Sequence, residues 1–220
     1  MINRRNIRIK VMQSAYAMLL AEDDKLDKHE KFLLGSIEKL YLLYVLQFKL
    51  LLALHQKATE YYNNSQKRLI HSTSIFANSK NFLNNKMIRK FNESYTIKNF
   101  ESKKGETNWD DYSEIINIIW NQLITSKFYE KYLSIENPDF SADKKFIQTL
   151  HSQIIAPNDD LFEFYESQEI SWIDDIPFVN TWITNNLYKI ETDTDFDLDS
   201  LYKDIDDKDF AKALFRKTML

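Results

Sequence analysis

Cysteine is absent from the chain and glycine nearly so: only Gly35 and Gly105 occur, alongside three prolines. Without cysteine there is no disulfide, no thiolate metal site and no thiol nucleophile. Two isolated glycines cannot build a phosphate-cradling loop or a dinucleotide fingerprint, since both need several at fixed spacing. They also disfavour an all-β fold, whose tight turns rely on residues tolerant of positive φ. The N-terminus is charged, but no long apolar stretch and small-residue cleavage site follow it, so no signal peptide is expected. A chain without thiols fits a reducing compartment, and a cytoplasmic location is the expectation.

What is present is ordinary in amount and uneven in placement. Apolar residues make up 44% and charged residues 28% of 220 positions, enough to bury a sizeable core. Aromatics reach 14%, so much of that core should be Phe, Tyr and Trp. The net charge of −4 conceals a basic beginning and an acidic end. Arg4, Arg5, Arg8 and Lys10 precede the first acid, Glu22, whereas the stretch from Glu191 to Asp209 is strongly acidic. A basic end on an acidic protein points to a local anionic partner.

Periodicity predicts helices throughout. The first spans Asn3 to Ala21, with Ile7, Val11, Ala15, Met18 and Leu19 as its core stripe and Asn6, Lys10 and Gln13 on a polar face. Asn3 is a candidate cap, and Arg4 and Arg8 lie one turn apart along the apolar arc. After a polar loop from Glu22 to Lys28, a long helix runs from His29 to Tyr62. Its middle, Leu40 to Leu54, is apolar on nearly every side, but Gln47 and Lys49 interrupt the run. A membrane span needs about 20 apolar residues, so a helix buried among helices is the better reading. Further helices are expected over Lys80 to Phe91, Asp110 to Leu133, Ser141 to Ile155 with Ser141 as cap, Asp159 to Ser167, Trp172 to Tyr188, and from Asp206 onward. Asn63 to Ser79 is polar and reads as a loop or short helix, and Ser94 to Asn108 as a connection, with Lys98, Lys103, Lys104 and Gly105 as a mobile loop. Glu191 to Asp204 reads as a solvated acidic linker. The fold class is all-α, a multi-helix bundle.

No catalytic constellation emerges. His29, His55, His71 and His151 show no pairing at metal-ligand spacing. Asp174 and Asp175 are neighbours, so their side chains point about 100° apart on a helix and suit a helix start rather than a carboxylate pair. Asp193, Asp195, Asp197 and Asp199 imitate the opening of a calcium loop, but Leu198 stands where Gly is required and Asp204 where Glu is required. Tyr41, Tyr44 and Phe48 form a helix-spaced aromatic stripe and are assigned to the core. With no cofactor or metal expected, the chain reads as a binding protein and not an enzyme. The basic first turns carry a mechanism: Arg binds phosphate in bidentate fashion and stacks on exposed bases. Gln13 offers a donor and an acceptor to a base edge.

The order Arg4-Arg5-Asn6-Ile7-Arg8-Ile9-Lys10-Val11-Met12-Gln13-Ser14-Ala15-Tyr16 resembles the opening helix of the NusB antitermination family. The resemblance is to an extended variant with a long helical insertion, in which 31–41, Trp172-Ile173-Asp174-Asp175 and Asp209-Phe210-Ala211-Lys212-Ala213-Leu214 look like further islands. It implies that Arg4, Arg5, Arg8 and Gln13 contact boxA-like single-stranded RNA. It implies that Tyr16 lies near the surface that meets NusE, a ribosomal protein. Both would be brought to a transcribing RNA polymerase elongation complex, with no membrane involved. Asn6 departs from the Arg of many members and Ala15 from the usual Leu. The implied segments are the basic helix at 1–21, the insertion at 22–190, the acidic linker at 191–204 and the start of the core at 205–220. The family's C-terminal signatures are not found, so an incomplete core is the expectation. The alternative is a helical protein-interaction module with no specific RNA binding.

Overall fold

The computed structural model describes residues 1–22, 25–67, 76, 79–100 and 108–219. The expected mobile loop around Lys103, Lys104 and Gly105, His71, and most of the connection before Ser79 lie outside the described residues. Among the described residues the architecture is all-α, without a strand. The helices are α1 (Arg4–Leu20), α2 (Leu26–Lys67), α3 (Lys86–Glu93), α4 (Tyr95–Asn99), α5 (Ser113–Ile124), α6 (Lys127–Leu133), α7 (Phe140–Leu150), α8 (Asp159–Gln168), α9 (Ile176–Lys189) and α10 (Asp207–Met219). No described helix is long and apolar enough to cross a membrane.

The chain divides into two compact units. The first comprises residues 1–43 and 199–220 and so joins α1, the beginning of α2 and α10. Asn3 caps α1, its side chain accepting from the backbone N–H groups of Arg5 and Asn6 at 2.9 and 3.1 Å. Ile7, Val11, Ala15 and Met18 are buried as their spacing required. Two assignments on this helix need correction. Leu19 is exposed, and Lys10, placed on the polar face, is buried. Lys10 and Ser14 widen the buried arc on the side where Leu19 does not reach, so the arc is centred away from Leu19. Opposite, α10 buries Ala211 and Phe215, and Arg216 ties its far end to Asp27 and Glu30 of α2.

The second unit spans 44–198. The remainder of α2 is its axis: Tyr44, Phe48, Leu50, Leu51 and Leu54 are fully buried, and Gln47 with them. Tyr44 stacks on Trp182 at 3.9 Å between centroids, and its hydroxyl accepts from Asn186. Phe48 meets Phe91 edge-on at 5.3 Å. Tyr44 and Phe48 are core, as assigned; Tyr41, in the first unit, is half-buried and donates to the Asp199 carbonyl. Gln47 Oε1 lies 3.3 Å from Nε2 of His151, which starts a single π-helical turn, His151–Ile155, after α7.

Local caps moved several expected boundaries. Asn85 accepts from the Met87 and Ile88 N–H groups, so α3 begins at Lys86 and not Lys80. Ser126 donates to the Leu123 carbonyl and accepts from Tyr129, splitting the single helix expected over Asp110 to Leu133 into α5 and α6 after a 3₁₀ turn at Trp109–Tyr112. Asp139, not Ser141, caps α7, because Asn137 at φ 54° and Pro138 turn the chain directly into it. Asp175 occupies the position before α9, but its side chain makes no cap hydrogen bond. The segment assigned as a solvated acidic linker is packed in part. Phe196 lies against Phe48 and Phe91. Asp197 accepts from the Ser94 and Thr96 hydroxyls and from the Thr96 and Leu198 N–H groups. Burial alone would raise the Asp197 carboxyl, but these donors outweigh it and hold the group below the usual carboxylate range.

Candidate nucleic-acid interface

The basic face is built at the start of α1, within the first unit. No acid stands in the first turn of this helix, so Arg4 and Arg5 crowd the positive end of its dipole, with Arg8 one turn on. The turn is held from behind. The Ile2 N–H donates to the Leu201 carbonyl at 2.9 Å, the Ile2 side chain is fully buried, and the N-terminal amine pairs with Asp199 at 3.4 Å.

The three arginines have different surroundings. Arg4 Nε donates to Asp207 Oδ1 at 3.2 Å, and Asp207 is itself buried and also accepts the Asp204 N–H at 3.1 Å. The Arg4 guanidinium sits 5.0 Å from the Phe210 ring centroid, and Arg8, one turn on, sits 5.7 Å from the same ring. Arg5 lies about 100° round the helix from Arg4. It is exposed, and its side chain makes no hydrogen bond or ion pair among the described residues. Arg4 therefore carries a structural ion pair, Arg8 is stacked on one side, and Arg5 is open to a ligand.

Gln13 and Tyr16 complete the set expected from the sequence. Tyr16 is 63% exposed and Gln13 half-buried. By helix geometry Tyr16 shares the face of Arg5, whereas Gln13 points about 180° away from Arg4 and about 80° from Arg5. The structure thus brings Arg4 and Arg8 together on Phe210 and leaves Gln13 off their face. Asp207 and Phe210 were not picked out as site residues. The only trace in the sequence was the i, i+4 spacing of Arg4 and Arg8 along the apolar arc, which required something from another element to receive them.

Elsewhere among the described residues the pockets are small or open to solvent. A cavity among Leu46, Trp109, Tyr112, Phe164 and Trp172 has about 10 Å³, room for at most one water. A shallower groove of about 170 Å³ is lined by Gln56, Lys57, Glu60, Asp110, Ser113 and Asn117. His151 is buried, and burial pushes its imidazole down to about 4, so it stays neutral. Among the described residues no group of three or more His, Asp or Glu is placed to hold a metal ion. In comparisons with known proteins, no family model, no curated protein and no solved structure matches the chain.

Proposed function

We propose that the protein binds single-stranded, boxA-like RNA through the first turns of α1 and acts as an antitermination factor of the NusB type, by binding and not by catalysis. The observation that carries this reading is the acid-free basic turn with Arg5 open and Arg8 half-open beside it. Arg5 and Arg8 would each take a phosphate, with Phe210 beside the Arg8 guanidinium at 5.7 Å. The guanidinium planes can also stack on splayed bases. Arg4 serves chiefly to fix the turn through Asp207. NusE would meet the adjoining face at Tyr16, and the pair would join a transcribing polymerase. The test is a titration of labelled boxA RNA with and without NusE. Tighter binding in the presence of NusE, lost on Tyr16→Ala, supports the reading; RNA affinity indifferent to NusE counts against the antitermination role.

A second reading, a helical protein-interaction module, is favoured by a different observation: α1 exposes Met12, Leu19 and Leu20 as well as Tyr16. It predicts no specific, salt-dependent RNA affinity.

A further inference from the structure

The second unit carries a groove that its own polar side chains do not close. Ala53, Gln56, Lys57 and Glu60 recur at i, i+3, i+4 and i+7 and form one stripe of α2. That stripe faces the 3₁₀ turn at Trp109–Tyr112 and the first turns of α5 across about 170 Å³ of open space. The two walls run side by side in the same direction. At one end Trp109 Nε1 donates to the Leu46 carbonyl at 2.9 Å, and at the other the Trp120 ring lies 5.6 Å from that of Tyr61. Lys57 therefore stands roughly abreast of Asn117, while Asp110 lies ~11 Å nearer the Leu46 end. Ala53, Trp109 and Ile116 supply the apolar lining between them.

Opposite charges on facing elements ordinarily close on one another, because a charge-assisted hydrogen bond is among the strong ones. Here the spacing keeps them apart. The side chains of Lys57, Asp110, Ser113 and Asn117 make no hydrogen bond or ion pair among the described residues, although all four line the groove. Lys57 is half-buried. Glu60, beyond it, accepts only from Gln56 at 3.3 Å. We propose that this groove is a binding site for a small free amino acid, taken as the zwitterion. Its carboxylate meets the Lys57 ammonium and the Asn117 amide, and its ammonium meets Asp110 with the Ser113 hydroxyl beside it. The charge pattern selects this class. A phosphate dianion would be repelled by Asp110 and Glu60, a simple amine by Lys57, and a neutral ligand would leave both charges unmet. The volume agrees. At about 30 Å³ per water the space holds about five or six waters, the bulk of an amino acid with a short side chain. Nucleotides and drug-sized ligands need roughly 300 Å³ or more. So few contacts in an open groove give a Kd of about 0.1–10 mM. The inference is independent of RNA binding.

Titration of the ¹⁵N-labelled chain with glycine, L-alanine and L-serine, followed by backbone amide shifts, tests the site. At least one of the three should give saturable shifts confined to residues 53–60 and 109–117, with a midpoint in the millimolar range. Acetate and methylammonium each carry half of the ligand and should bind about tenfold more weakly or worse. Lys57→Gln and Asp110→Asn should each weaken the amino acid about five- to tenfold, and shifts away from the groove should match the parent in both variants. No saturable shift with any of the three amino acids would overturn the proposal. Acetate binding as tightly as the amino acid would also overturn it, leaving a bare anion site. So would shifts unaltered by both substitutions.

Discussion

Single residues show where charge is held and what it does. His151 is neutral in the folded state because burial lowers its imidazole to about 4, from an ordinary 6.5. His55, hydrogen-bonded to the Leu83 carbonyl, is lowered in the same sense, chiefly by burial. The unfolded chain therefore takes up protons below about pH 6.5 that the folded chain refuses, and stability must fall as pH drops toward 4. For His151 the loss between about pH 7 and pH 5 should be ~2 kcal/mol, read from urea midpoints. His151→Gln should flatten most of that dependence. Asp207 makes a different prediction. Its buried carboxylate accepts from Arg4 and from the Asp204 N–H, so Asp207→Ala should cost about 1–3 kcal/mol in thermal or urea unfolding. The milder Asp207→Asn should release Arg4 and steepen the salt dependence of RNA binding by about 0.7. Neither role was legible in the sequence. A histidine on an amphipathic helix and an aspartate in an acidic stretch look solvated until the elements that cover them are known.

At the level of elements, helix existence was legible and helix ends were not. Spacing of Ile7, Val11, Ala15 and Met18, and the apolar run of α2, define the two long helices because each turn repeats the same demand for burial. The ends depend on single capping side chains. Asn3 was readable as a cap because nothing competes with it. Asn85 stands inside an apparently continuous pattern and Ser126 between two apolar stretches, so the breaks they impose are visible only once their side chains are seen bonding to backbone. Asn3→Ala should cost about 1 kcal/mol by loosening the first turn of α1, and should weaken RNA binding in parallel. Gly35 supplies a change of opposite sign. It lies within α2 with nothing inside 4 Å of where a Cβ would stand. Gly35→Ala should therefore stabilise by about 0.5–1 kcal/mol, read as a raised urea midpoint. A fall would mean that the position is closer to a neighbour than its surroundings indicate.

For the whole molecule, the all-α class followed from what the chain lacks as much as from its periodicity, since glycine-poor sequences build few turns between strands. The basic end was equally plain from the placement of charge. What could not be read was the division of labour among its three arginines, because Asp207 and Phe210 come from the other end of the chain, some two hundred residues away in sequence. That division makes the account testable in its central claim, that the first turns of α1 hold RNA by two open arginines while a third is tied down. The decisive measurement is the affinity of the full chain for single-stranded boxA RNA as a function of salt, run beside Arg4→Ala, Arg5→Ala and Arg8→Ala. The parent should give a slope of log affinity against log salt of about −1.4, from two phosphates at ~0.7 each. Arg5→Ala and Arg8→Ala should each bring it to about −0.7, while Arg4→Ala leaves it nearly unchanged. Binding that ignores salt, or that falls equally with all three variants or with none, would contradict the account.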